Sequence, residues 1–221
     1  MVVQLRQSIR GASNPWGAVK DTLANLIEVM NATTGSTLSL SKAATQAGAT
    51  GASAGTILTK GSGVSAAESY AVGRQVNGTL IVTSIVVDLT GLVGSATDVD
   101  IIGNTGGAAS CHWGRITTAI CGTLVAGRVT CLEVPAGGAD DIDFYSSNVG
   151  TGAQDVAISH ADLGTETALV TSGAAWASGT TKGMTALPTA DDYLYIVNGE
   201  GSAGGTFTAG KFLIELFGYA A

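Results

Sequence analysis

Two histidines, three cysteines and a few clustered aspartates carry the side chains of this sequence best suited to chemistry. A nucleophile needs a base within hydrogen-bond reach, and that base needs a third group to orient it. His112 stands beside Trp113 in a strand-like stretch, and His160 stands near Asp162 in a loop-like one. Neither has a G-x-S-x-G run, the pattern of the turn that lifts a serine out of a strand, next to it in the sequence. Cys111, Cys121 and Cys131 lie ten apart with no C-x-x-C pair, a spacing that fits no zinc signature. They read as small apolar residues half-buried in strands, with a Cys121–Cys131 disulfide across a hairpin as the alternative.

Asp141 and Asp143 place two carboxylates on one strand face, with Asp140 beside them. A hard cation such as calcium wants several oxygen ligands, but the D-x-D-x-D-G…E loop that supplies them is absent. The trio therefore reads as a solvated loop edge, as do Asp98 with Asp100 and Asp191 with Asp192. Gly199-Glu200-Gly201-Ser202-Ala203-Gly204 matches G-x-G-x-x-G. A dinucleotide site also needs a helix whose first N–H groups meet the pyrophosphate. Here Gly205-Thr206-Phe207-Thr208 follows, a poor helix former, so a strand-connecting loop is expected. No catalytic, cofactor-binding or metal-ligating residue is expected, and the chain reads as a non-enzyme.

The elements that would position these residues begin with a helix. Ser13 or Asn14 can cap its first turn and Pro15 suits the position after the cap. Trp16, Val19, Leu23, Leu26, Ile27 and Met30 recur at helical spacing, and Asn31 and Gly35 can end the run. So short a helix is marginal alone and needs a surface to dock on. From Thr33 to Ser69 the chain is mostly Ala, Gly, Ser and Thr, interrupted by Leu38, Leu40, Ile57, Leu58 and Val64. That tract buries too little apolar area to offset its ordering entropy, and composition alone also allows a flexible linker. The recurring apolar residues favour an extended arm that becomes ordered on a neighbour. Trp16, Leu23, Leu38, Leu40, Ile57 and Leu58 are the candidate partner contacts, and residues 1–69 form the expected helix-and-arm region.

After Tyr70 the apolar period changes to two. Asn77-Gly78 signals a hairpin turn. Thr79–Leu89 follows as a strand, with Ile81, Ile85, Val87 and Leu89 on one face. Further strands are expected over 98–102, 112–120, 128–134, 140–146, 156–159, 193–197 and 211–219. In the last, Phe212, Ile214 and Leu216 alternate with Leu213, Glu215 and Phe217. Strands at this spacing, with glycine-rich turns and almost no helical period between them, predict an all-β domain over residues 70–221. A jelly-roll-like β-sandwich suits the number of strands.

Charge narrows the partners. The formal net charge is -7 and the cations are scattered, which disfavours nucleic acid, because cations must replace the phosphate counterions. The longest apolar run, Leu80–Leu89, is too short to span a membrane and carries Asp88. No basic segment followed by an apolar stretch opens the chain, so no secretory route is expected. With 32 Gly and only 12% charged residues, the surface should be small and neutral, suited to lying against other chains.

Two stretches resemble virion structural proteins of tailed bacteriophages, especially capsid decoration or cement proteins of marine podovirus-like phages. One is Leu80-Ile-Val-Thr-Ser-Ile-Val-Val-Asp-Leu-Thr-Gly-Leu92; the other runs from Asp191-Asp192-Tyr-Leu-Tyr-Ile-Val-Asn198 through Lys211-Phe-Leu-Ile-Glu-Leu-Phe-Gly-Tyr219. The resemblance implies a jelly roll that forms a homotrimer and binds the major capsid protein. It also implies a place on the capsid surface of a virion assembled in the host cytoplasm, without cofactor. The alternatives are another virion component (head fibre, tail or receptor-binding module) and a carbohydrate-binding β-sandwich. A sugar site would draw on Trp113, Trp176, Tyr193 and Tyr195.

Overall fold

The computed structural model describes residues 58–200 and 203–220, all within one compact unit that spans Ala52–Ala221. The helix expected after Pro15 lies outside the described residues, and so do the candidate contacts Trp16, Leu23, Leu38, Leu40 and Ile57.

The described chain is all-β, with antiparallel sheets. Its strands are β1 (Tyr70–Asn77), β2 (Leu80–Asp88), β3 (Val93–Gly94), β4 (Thr123–Ala136), β5 (Ile142–Ser147), β6 (Glu166–Val170), β7 (Thr181–Gly183), β8 (Tyr193–Asn198), β9 (Gly205–Thr206) and β10 (Ala209–Tyr219). A single turn of α-helix, α1 (Thr118–Cys121), precedes β4. The larger sheet has the order β1-β2-β10-β4-β7, the smaller one β6-β5-β8, and β3 pairs with β9.

Period-two patterning builds the larger sheet. On β2, Ile81, Thr83, Ile85 and Val87 are buried, and on β10 Phe212, Ile214 and Leu216 are buried, while the residues between them are more exposed. The two-residue loop of the first hairpin is Gly78-Thr79, with Asn77 opposite Leu80. Gly78 takes φ 62, the left-handed geometry that places glycine first in such a loop. The β4–β10 register shifts three times, near Val125, near Leu132 and between Glu133 and Ala136, and irregularities of this kind re-aim the side chains around them.

Both sheets share one core. Phe144 of β5 meets Phe212 of β10 edge to face at 5.2 Å, and Trp176 closes the trio at 5.3 Å from Phe212. The Trp176 indole N–H donates to the Ile142 carbonyl at 2.8 Å, so this large ring is buried with its polar group satisfied.

Residues 58–69, which the sequence places in the arm, lie on this core. Leu58 and Val64 are buried, Gly61 N–H donates to His112 O and Gly63 N–H donates to Ser110 O. The approach is close enough that a Cβ on Gly61 would stand 1.8 Å from the Ser110 carbonyl oxygen. Small residues permit that backbone contact here within the chain itself, so Leu58 is engaged by its own core and not offered to a partner. The segments 98–102, 112–120 and 156–159 are not strands. They carry isolated bridges, among them Ile101 to Val197 and Arg115 to Tyr193, and Val99 at φ 59 and Gly114 at φ 141 break the extended backbone of the first two.

Candidate functional site

The two histidines are far from a catalytic arrangement. His160 caps the turn Ala161–Leu163, its Nδ1 accepting from the Asp162 backbone N–H at 3.3 Å. That ring nitrogen is therefore committed to local structure. His112 packs edge-on against Tyr193 at 4.8 Å, and its buried Nδ1 has no hydrogen-bond partner among the described residues. Burial lowers the His112 pKa, which keeps the ring neutral at physiological pH. Neither imidazole has an orienting carboxylate and a nucleophile together.

All three cysteines are free and buried, so the Cys121–Cys131 disulfide is not formed. Burial pushes the Cys111 thiol up to about 11 and raises Cys121 and Cys131 as well. A buried thiol with a raised pKa stays protonated at neutral pH, and the thiolate, not the thiol, is the nucleophile.

The aspartates depart most from the sequence expectation. Asp100, Asp141, Asp143 and Asp192 are buried rather than solvated, and Asp88 is as well. Each of those with a hydrogen-bond partner ties down a loop or strand end. Asp192 Oδ2 accepts from the Ser146 hydroxyl at 2.9 Å and the Thr189 N–H at 3.0 Å. Asp100 Oδ2 accepts from the Ser95 hydroxyl at 2.8 Å, and Asp143 Oδ1 from the Ser172 N–H at 2.5 Å. Only Asp191 of the neighbouring pair is exposed, and it meets Arg115 at 3.2 Å. Among the described residues, no three side chains of metal-ligating type converge.

Two of these carboxylates have opposed electrostatics. Burial would raise Asp88, but the Thr90 hydrogen bonds and the Lys211 ammonium at 3.2 Å together hold it below the usual carboxylate range. Asp143 is pushed up to about 6, first by burial and then by the neighbouring Asp141 charge, against the Ser172 hydrogen bond and Lys182. A carboxyl raised in the folded state binds more protons folded than unfolded, so it favours folding at low pH. Its stabilisation is full below the unfolded pKa and disappears as pH rises through about 6. Asp143→Asn should therefore flatten the stability profile between pH 7 and 4 by about 2 kcal/mol. Urea unfolding of both proteins across that window measures it. Asp88 acts in the opposite sense, losing its contribution only as pH falls through the acid side of its ordinary range.

Two surface features remain. A groove of about 460 Å³ is lined by Thr151, Asp155, Val156, His160, Asp162 and Leu163. Its floor is plain and its histidine is the cap already described, so it holds no reactive pair. The second feature is the larger sheet. Its strands carry every exposed large apolar residue among the described ones: Leu80 on β2, Val125, Leu132 and Val134 on β4, and Tyr219 on β10. Leu80 and Tyr219 are cross-strand partners, and the Val125 bulge lies at the same end. Period two reveals Leu80 and Tyr219 in the sequence, but no sequence signal marks the bulges that expose Val125 and Leu132. Comparison with protein-family models, curated proteins and solved structures finds no match to this chain.

Proposed function

We propose that this chain is a non-catalytic structural protein of a virus particle, one that decorates and stabilises a phage capsid as a cement protein. In this reading the antiparallel sheets form a jelly-roll-like sandwich that associates with copies of itself and with the major capsid protein. The observation that carries it is the gathering of exposed Leu80, Val125, Leu132, Val134 and Tyr219 on one sheet. Leu80, Val125 and Tyr219 lie together at one end of that sheet, with Leu132 and Val134 toward the other, and exposed apolar side chains gathered in this way mark a place where another protein lies. The half-buried, neutral His112 and the buried thiols support the non-catalytic part. The phage part is supported by the sequence resemblance, whose stretches fall on β2, β8 and β10.

The carbohydrate-binding alternative is weakened by the same burial. Trp113, Trp176 and Tyr195 belong to the core, so those rings are not free to stack on a sugar. Antibody-labelled electron microscopy of native particles tests the proposal. Label spread over the shell is the expected result, and label confined to the tail, or absent from particles, contradicts it.

A further inference from the structure

We infer that the outer edge of β1, unpaired among the described residues, is a self-pairing site, where a second copy of this chain adds its own β1 antiparallel so that one sheet runs through both copies. The inference goes beyond the capsid reading and stands without it.

Backbone geometry defines the edge. Ser69 O accepts from Asp88 N–H at 3.1 Å, and Asn77 faces Leu80 across the two-residue loop. Hydrogen-bonded pairs alternate along an antiparallel ladder, so odd-numbered residues from 69 to 77 turn their N–H and C=O groups toward β2. Tyr70, Val72, Arg74 and Val76 then turn theirs outward. Among the described residues none of these groups has a backbone partner beyond β2.

This edge differs from the others. β7 is only Thr181–Gly183, and β6 is met by Thr185, whose N–H donates to Leu169 O. The outer side of β8 is occupied by the segments around Ile102 and Trp113, through Ile102 N–H to Ile196 O and Trp113 N–H to Leu194 O. β1 pairs with β2 without a register shift and contains neither proline nor lysine, the usual devices that blunt an edge. Its one charged residue, Arg74, is turned away, its Nε donating to Ile120 O at 2.6 Å.

The sequence of β1 fits a second copy of itself in one register. With Gly73 opposite Gly73 on the two-fold axis, Val72 faces Arg74, Tyr70 faces Val76, Ala71 faces Gln75 and Ser69 faces Asn77. Every outward N–H and C=O of Tyr70, Val72, Arg74 and Val76 is then paired in both copies. The neighbouring register that centres Arg74 on Arg74 sets like charges opposite each other and leaves Tyr70 unpaired. On the axis, Gly73 has no atom within 4 Å of its Cβ direction, so nothing in the chain blocks close approach. A two-fold contact makes pairs, in place of the three-fold clustering that the sequence resemblance implies.

Cysteine scanning of the full chain tests the register, because the native thiols are all buried. Under oxidising conditions Gly73→Cys should give at least ten times more covalent dimer than Gln75→Cys. Ala71→Cys and Gln75→Cys should cross-link when mixed, and neither should do so alone. Val76→Pro removes an outward N–H while leaving the β1–β2 ladder intact, and should weaken the dimer at least tenfold by sedimentation. Equal cross-linking of Gly73→Cys and Gln75→Cys, or an unchanged dissociation constant for Val76→Pro, would overturn the inference.

Discussion

Phe212→Ala should destabilise the protein by about 3–5 kcal/mol, the range for deleting a fully buried aromatic ring. Phe212 is completely buried on β10 and sits edge to face with both Phe144 and Trp176. β10 lies between β2 and β4, so the cavity would open at the centre of the larger sheet. Removing the ring also forfeits two aromatic contacts that exceed their area burial. The Phe212→Leu variant keeps most of the volume and should cost much less. Urea unfolding of the three proteins checks this, and a loss under about 1 kcal/mol for the alanine variant would mean the core closes over the gap.

The second large effect concerns where the folded domain begins. Removing residues 1–69 should cost about 4 kcal/mol more than removing residues 1–57. The longer deletion strips Leu58 and Val64 from the core and takes the Leu58 carbonyl from the Tyr70 hydroxyl, which donates to it at 3.0 Å. It also removes the main-chain bonds from Gly61 to His112 and from Gly63 to Ser110. Thermal unfolding of the two truncated proteins separates the cases. Equal melting temperatures would place the domain boundary at Tyr70 after all.

That boundary shows what a sequence conveys and what it hides. Strands β2 and β10 are legible because alternation alone decides their faces, and Ile81, Ile85, Val87, Phe212, Ile214 and Leu216 are buried as alternation requires. The extent of β4 is less legible. Its N-terminal part carries Ala126 and Gly127, and its bulges near Val125 and Leu132 shift the alternation, so period two points only to its middle. β6 and β7 escape notice because they are only five and three residues long, too short for a period to show. The segment 58–69 looks like an arm because Gly, Ala and Ser suit close approach to any surface. Composition does not say that the surface is the chain's own 110–112 stretch.

The buried aspartates were hidden for a related reason. Asp143 is satisfied by Ser172 and Asp192 by Ser146, and those partners lie far away in sequence. A carboxylate in a glycine-rich loop reads as solvated until tertiary structure supplies its donors. The contact of His160 with the adjacent Asp162 is visible in the spacing, whereas the packing of His112 against Tyr193 is a tertiary fact that spacing does not carry.

A cement protein of the kind proposed stabilises the capsid by binding it, and the arm expected in the N-terminal region is the segment proposed to reach the shell. The most direct measurement is the temperature of genome release from particles depleted of this protein, before and after the purified chain is added back. The full chain should raise the release temperature, and the chain lacking residues 1–57 should bind weakly and raise it little. If the full chain leaves the release temperature unchanged, the protein is not a capsid cement; if the shortened chain stabilises as well as the full one, the N-terminal segment takes no part.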